Sequence, residues 1–286
     1  PIVWIGDDRR GLCFFGENDH GWTPHPNEPS QEVVREGGSL LFRMRIISRP
    51  VTITTNRTFG FYLHATPTKP LPANWRAYNL GKPGIPCPTY ECIDAFVSPT
   101  LTAPANLPTH AGITFQLEPH SWVDAVANSR ALGKRMGPSA PRLFYIDYSW
   151  PKLGPSANEL WYAGLANCGR LSWTREIEDY FTWSMNEFIR RDLIDGLYID
   201  DTSVGATLMP QLTAYVMDDG KVQRGFSTMG FRRFLKRIWT LYAMAGKQPH
   251  IIPHTTYCYE IPALSFAEAA VNGEDRDIYP FASHTF

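Results

Sequence analysis

Short apolar segments alternate with amphipathic helical segments in the second half of this 286-residue chain, and this pattern limits the fold most. The apolar segments include "RLFYIDYSW", "GLYIDD" and "HIIPHTTYC", which have the length of strands. Apolar strands separated by helices are typical of a parallel sheet covered by helices. No Gly-rich phosphate-binding motif follows any of them, which disfavours a nucleotide-binding sheet.

The pattern therefore predicts an α/β fold, for which a (β/α)8-type TIM barrel is the best choice. Five or six strands are recognisable where a barrel needs about eight. Either some strands escape recognition or the barrel is incomplete in this chain.

Two segments have the periodicity of helices. The first is "TREIEDYFTWSMNEFIRR", with acidic residues in its first turns and Arg190 and Arg191 in its last, which suits the helix dipole. The second runs from about Thr228 to Ala245 and is expected to stop at Gly246.

The chain divides into three predicted regions. Residues 1–66 alternate apolar and polar positions, in runs on both sides of Pro50 and again in "TFGFYLHAT", which predicts an antiparallel β-sandwich region. Residues 67–110 contain nine of the 24 prolines and are expected to form a connector. Residues 111–286 are assigned to the barrel, with its sheet starting near Ile113 and a weak strand at "AEAAVNGED".

Composition excludes several classes of function. A formal charge of −1 argues against nucleic acid or an anionic membrane as the main partner. No apolar run is long enough to span a membrane. We recognise no metal-ligand spacing and expect no cofactor. The 9 Trp, 13 Tyr and 16 Phe fit core packing or sugar-stacking surfaces. The sequence does not indicate an oligomeric state.

The five cysteines bear on disulfide bonds, and the chain ends bear on processing. The five cysteines make a full disulfide framework implausible, whereas Cys87 and Cys92 either pair or remain free thiols. The chain starts at Pro1 without Met or a signal peptide and stops at Phe286 just after a strong motif. We therefore expect a trimmed or partial chain from a secreted or periplasmic protein.

Polar residues gather after several predicted strands, at the ends where barrel enzymes place their active sites. Acidic groups accompanied by aromatic residues suit glycoside hydrolysis, in which two carboxylates share the chemistry. The predicted catalytic residues are Asp200, Asp201 and Glu274. The predicted substrate-binding residues are Asp147, Tyr148, Trp150, Tyr198, His254, Asn272 and Asp275. We expect Asp147, Asp200, Asp201 and Glu274 to open on one cleft, with Trp150 or Tyr148 on its wall.

Each candidate also has a purely structural interpretation. A single Asp after a strand is commonly a helix N-cap, but a cap needs only one carboxylate, so the adjacent pair favours function. The other structural interpretations are a turn cap or Arg partner for Asp147, a turn residue for Glu274, a hydrogen-bonded core residue for His254, a core lid for Trp150, and a loop or interdomain contact for Glu17 and Asp19.

Three segments resemble glycoside hydrolase family 123-type proteins and their barrel relatives. They are "WIGDDRRGLCFFGENDHGW", "CGRLSWTREIEDYF…DGLYIDDT" and "HTTYCYEIPALSFAEAAVNGED", and the resemblance spans most of residues 1–286. It implies an N-terminal β-sandwich followed by a catalytic (β/α)8-type barrel that acts on carbohydrate. The characterised members are similar to β-N-acetylgalactosaminidases.

The resemblance also implies a mechanism, in which the acetamido oxygen of the substrate is the nucleophile. An adjacent Asp-Glu pair serves it: the first carboxylate orients the amide and the second is the general acid. In this chain the pair is Asp200-Asp201, so the second side chain is about one methylene shorter.

Three alternatives stay open. A conventional retaining hydrolase would use Asp200 as nucleophile and Glu274 as acid/base. A polysaccharide lyase would use Tyr148 or His254 as its base. A non-catalytic carbohydrate-binding or structural protein would keep the fold and an aromatic binding face. In every case the expected partner is an oligo- or polysaccharide.

Overall fold

The computed structural model of the protein describes residues 2–70, 96–97, 114–115, 142–147, 152–153, 173–202, 206–255 and 259–270. The strands are β1 (Ile2–Gly6), β2 (Gly11–Phe15), β3 (Gln31–Glu36), β4 (Ser39–Met44), β5 (Tyr62–Thr66), β6 (Phe96–Val97), β7 (Thr114–Phe115), β8 (Leu143–Asp147), β9 (Lys152–Leu153), β10 (Gly196–Thr202), β11 (Ala206–Thr207), β12 (Tyr215–Val216), β13 (Val222–Gln223), β14 (Gly225–Phe226) and β15 (His250–Thr255). The helices are α1 (Arg175–Arg190), α2 (Thr228–Met244) and α3 (Ile261–Leu264).

The N-terminal region forms antiparallel structure, as predicted. β2 lies between β1 and β5 in a three-stranded sheet, and β3 pairs with β4 in a hairpin. Cys13, Phe14 and Phe15 are at most 3% exposed, so both faces of β2 are covered at this end. The Phe14 ring lies 5.6 Å from that of Phe42 in β4, which packs the hairpin against the sheet. A complete sandwich stays a prediction.

The prediction of a strand directly after Pro50 is wrong. Residues 51–61 contain no strand, and the segment "TFGFYLHAT" becomes extended only from Tyr62. Ile53 is 55% exposed, so its place in the alternating pattern does not bury it. Alternation alone is insufficient because a strand also needs a partner for its backbone hydrogen bonds.

The parallel sheet has the strand order β15-β10-β8-β6. β10 therefore has a parallel partner on each side. Leu197 and Ile199 are at most 1% exposed and Tyr198 is 8% exposed, so both faces of β10 are buried. The prediction that residues 143–148 and 196–201 contain neighbouring parallel strands is confirmed.

The predicted limits of this sheet need correction. β6 pairs with β8 from within the segment predicted as a connector, so the sheet begins before Ile113. β7 pairs instead with β9, in a separate two-stranded element. In the weak strand "AEAAVNGED", residues 267–270 have no strand structure and the rest lies outside the described residues. A closed barrel stays a prediction.

α1 and α2 confirm the two predicted helices and pack through an aromatic cluster. The Trp173 ring stacks on Phe234 at 4.5 Å and on Phe231 at 5.2 Å, and Phe181 of α1 lies 5.8 Å away. All four side chains are at most 1% exposed. α2 ends as expected before Gly246, whose φ of 68° is unfavourable for other residues. None of the helices in the described ranges is long and apolar enough to cross a membrane.

Two small antiparallel pairs, β11 with β14 and β12 with β13, lie between β10 and α2 and were not predicted. They contact the N-terminal region directly. The backbone N–H of Phe226 donates to the Glu17 carbonyl at 2.7 Å, and Asn18 Nδ2 donates to the Thr213 carbonyl at 2.6 Å. Residues 206–226, which contain these two pairs and are called the β11–β14 segment, are therefore tied to Glu17 and Asn18 of the N-terminal region.

Replacing Gly230 by Ala should destabilise the protein although Ala favours helix. A Cβ at position 230 would lie 2.6 Å from both the Cβ and the carbonyl oxygen of Trp173, so the cluster must shift. Overpacking of this kind costs about 1–3 kcal/mol. The measurement is urea unfolding, with Gly60→Ala as the matched control because nothing lies within 4 Å of a Cβ there. Equal free energies of unfolding for the two variants would contradict this packing.

Candidate active site at the carboxyl edge of the parallel sheet

A β-bulge lies where β10 reaches its two adjacent carboxylates. Ile199 pairs with Pro253 of β15, whereas the next pair joins Thr202 to Thr255. Two residues of β10, Asp200 and Asp201, thus oppose the single residue His254. Bulges break the regular alternation of side chains and are frequent beside active sites. Because β10 continues to Thr202, both aspartates lie within the strand, at its irregular point.

Asp200 and His254 are joined across the bulge. The distance between Asp200 Oδ1 and His254 Nδ1 is 2.7 Å. The Asp200 side chain is 30% exposed and that of His254 is 8% exposed, so the carboxylate reaches solvent while the imidazole is enclosed. Such a pair fixes the orientation of the ring. An N-cap alone does not account for Asp200, because its carboxylate meets a histidine of the neighbouring strand.

Tyr198 lies on the same face of β10 as Asp200, two residues earlier in the strand. The Tyr198 and His254 rings are 6.4 Å apart and inclined at 34°. Tyr198 is 8% exposed, so its main contribution is to pack beside the histidine. Of the predicted substrate-binding residues, Tyr198 and His254 are thus brought together with Asp200.

Asp147 ends β8 directly beside Asp200, with which it is paired in the parallel register. The backbone therefore brings the ends of three neighbouring strands to one edge, with Asp147, the Asp200-Asp201 pair and His254 in adjacent positions. This juxtaposition is the one expected for the active-site edge of an α/β sheet. The predicted residues Tyr148, Trp150, Asn272, Glu274 and Asp275 lie outside the described residues.

At the opposite edge of the sheet, where β8 and β10 begin, Asp195 is hydrogen-bonded to Arg142. The Asp195 carboxylate accepts hydrogen bonds from the backbone N–H, Nε and Nη2 of Arg142, at 2.8, 2.8 and 3.1 Å. Burial raises the pKa of Asp195, but these bonds outweigh it and leave the pKa below its usual value. The next residue, Gly196, has no room for a side chain, since a Cβ would lie 2.0 Å from the His250 carbonyl. This edge aligns the strands.

Two glutamates that sequence reasoning did not place in a site, the half-buried Glu17 and the buried Glu260, lie at the start of α2. Glu17 Oε1 accepts the backbone N–H of Met229 at 2.7 Å, and Tyr62 donates to its other oxygen at 3.3 Å. Burial raises the pKa of Glu17. The interpretation of Glu17 and Asp19 as contacts between regions is confirmed, because Asp19 accepts the hydroxyl of Tyr215 at 2.8 Å.

Glu260 is the second of these glutamates and is 2% exposed. Burial raises the pKa of its carboxyl to about 7; a hydrogen bond with Thr228 opposes this, and the charge of Glu17 adds to it. The available sequence signal was one carboxylate inside the apolar stretch "CYEIPAL". Its near-complete burial argues against contact with substrate.

We found no metal site among the described residues, where no group of three or more His, Cys, Asp or Glu side chains could hold an ion. In comparisons with known proteins, the chain matches no family model, no curated protein and no solved structure. The chemistry must therefore be inferred from the geometry of the sheet edge.

Glu260 should make the free energy of unfolding fall as the pH rises. Its pKa is about 7 in the folded protein and near 4.5 in the unfolded chain, so the folded state binds the additional proton between these values. Stability is lost as the pH rises through about 7, by about 3 kcal/mol in total. We expect Glu260→Gln to match the wild type at about pH 4 and to exceed it at about pH 8 in urea unfolding.

The exposed Glu176 of α1 provides the matched control. Glu176→Gln should leave the dependence of the free energy of unfolding on pH unchanged. A wild-type protein whose stability relative to Glu260→Gln is constant from about pH 5 to about pH 8 would show that Glu260 keeps an ordinary pKa.

Proposed function

We propose that the protein is a retaining, metal-independent glycoside hydrolase with Asp200 and Asp201 at the centre of its site. The observation that carries this proposal is the bulge that sets two adjacent aspartate residues opposite His254 in the strand register, with the Asp200 carboxylate joined to its imidazole. Glycoside hydrolysis needs one group to protonate the leaving oxygen and another to stabilise or attack the developing positive charge. Two adjacent aspartates near a strand end, the first with a partly exposed side chain, offer both kinds of group.

In the substrate-assisted scheme, the acetamido oxygen of a β-N-acetylhexosaminide attacks the anomeric carbon as the glycosidic bond breaks. Asp201 donates the proton that the leaving oxygen takes up. Asp200 stays ionised and orients the amide N–H, and a hydrogen bond from His254 Nδ1 favours that charged form. Water then opens the cyclic intermediate and returns the proton to Asp201. The resemblance to family 123-type proteins supports this choice of substrate.

In the conventional scheme, Asp200 attacks the anomeric carbon and forms a glycosyl-enzyme, and Glu274 acts first as acid and then as base. The two carboxyl groups would then lie roughly 5–5.5 Å apart. Exposure of about a third of the Asp200 side chain is compatible with attack on a sugar. The two schemes differ in the role of Asp201, so variants at this position separate them.

A screen of aryl glycosides that includes N-acetylhexosaminides tests the proposal. Asp200→Asn should lower kcat by about 10²–10⁴-fold, the range for loss of a positioned acid–base or charged group. Asp201→Asn should have a comparable effect in the substrate-assisted scheme and a much smaller one in the conventional scheme. Asp218→Asn, at an exposed carboxylate away from the sheet, is the matched control.

Azide, added as an external nucleophile to the Ala variants, distinguishes the two schemes further. A glycosyl azide formed by Glu274→Ala and not by Asp201→Ala would reject the substrate-assisted scheme and retain the hydrolase. Full activity in the double variant Asp200→Asn/Asp201→Asn would reject both schemes. Glycan binding without turnover of any glycoside would favour the non-catalytic alternative.

The Asp200–His254 hydrogen bond also favours a second candidate, a polysaccharide lyase. In a lyase, the imidazole of His254, whose orientation this hydrogen bond fixes, would remove the proton beside a uronate carboxylate. A lyase would release an unsaturated uronide that absorbs ultraviolet light and would lose this activity in His254→Gln. A hydrolase would give saturated products only.

A further inference from the structure

A cleft of about 560 Å³ lies between the N-terminal region and the β11–β14 segment that follows β10. We name it the Trp22 cleft. Its walls include the aromatic rings of Trp22 and Phe226, and polar side chains complete them: Asn18, Asp19, Gln223 and Arg224. A volume of this size is typical of small-molecule sites. The lining combines flat apolar surface with groups that can bind hydroxyl and carboxylate oxygens.

The cleft is held in a fixed shape. Trp22 follows a tight turn in which its N–H donates to the Asp19 carbonyl at 3.0 Å, and the φ of 82° at Gly21 is the one that such a turn requires. Asn18 bridges this turn to Thr213. The ring of His20 stacks on Tyr215 with centroids 4.5 Å apart. Because these contacts order the site in advance, little entropy is lost when a ligand binds.

Arg224 gives the cleft a positive charge. Its side chain is exposed, and it forms no ion pair or hydrogen bond with any part of the chain that the structure describes. Asp19 also lines the cleft, but its carboxylate accepts the hydroxyl of Tyr215 at 2.8 Å and forms no ion pair with Arg224. A guanidinium group in this position is suited to bind a carboxylate through two parallel hydrogen bonds.

We propose that the Trp22 cleft binds an acidic saccharide, with a uronate carboxylate on Arg224 and a sugar face against Trp22. The indole presents a large rigid apolar surface, which suits the C–H face of a pyranose. Asp19 can accept hydrogen bonds from sugar hydroxyls, and Gln223 can accept hydrogen bonds from them or donate to them. This inference goes beyond the hydrolase proposal, because binding in the cleft is independent of turnover at the sheet edge.

Calorimetry with tetramers of galacturonate, glucuronate and mannuronate tests the proposal, each compared with its carboxyl-reduced form. The wild type should bind at least one uronate tetramer at least about tenfold more tightly than the reduced form, as a charged hydrogen-bonding pair predicts. Arg224→Gln should remove this preference. Trp22→Ala should weaken both ligands. Arg35→Gln, at an exposed arginine of β3, should change neither affinity.

Three results would overturn the proposal. They are no binding of any uronate tetramer, equal affinity for acidic and reduced forms, and an unchanged preference in Arg224→Gln. Asp200→Asn separates this inference from the hydrolase proposal. If Asp200→Asn abolishes uronate binding and Arg224→Gln does not, the ligand binds at the sheet edge, which rejects the cleft and leaves the hydrolase proposal standing.

Discussion

The parallel pairing of β10 with both β8 and β15 sets the position of every described candidate group. On one side, Asp200 is in register with Asp147; on the other, the register shift sets Asp200 and Asp201 against His254. At the opposite edge, the Asp195–Arg142 contacts align the strands before the bulge begins. A shift of one residue in either pairing would move the carboxylates to the other face and separate them from the histidine.

A second constraint joins the N-terminal region to the helical layer. Glu17 is hydrogen-bonded to the start of α2, and Glu260 is buried close enough for the charge of Glu17 to raise its pKa. Two carboxylates in one partly buried place destabilise the fold at high pH, although the helix N-terminus offsets part of this cost. Separate contacts of the same N-terminal region, from Asn18 to Thr213 and from His20 to Tyr215, order the turn that carries Trp22.

The sequence predicted the elements whose signals are local. Periodicity of 3.6 residues indicated α1 and α2, and the apolar run before Asp200 indicated β10, because burial leaves a regular pattern along the chain. The bulge left no such pattern, since register depends on the partner strand. For the same reason the alternation after Pro50 suggested a strand that does not form. Glu260 was not predicted, because its position in the apolar stretch "CYEIPAL" is a weak signal that does not by itself show a buried side chain.

The central claim is that the bulge joins the Asp200 carboxylate to His254 Nδ1 at the carboxyl edge of the sheet. Nitrogen NMR of the imidazole tests it most directly, with the signals assigned by comparison with His254→Gln. A carboxylate that accepts a hydrogen bond requires the proton on Nδ1, so neutral His254 should be the Nδ1–H tautomer. Asp200→Asn should remove this preference. A neutral His254 with its proton on Nε2 and an unprotonated Nδ1 would contradict the pairing on which the site is built.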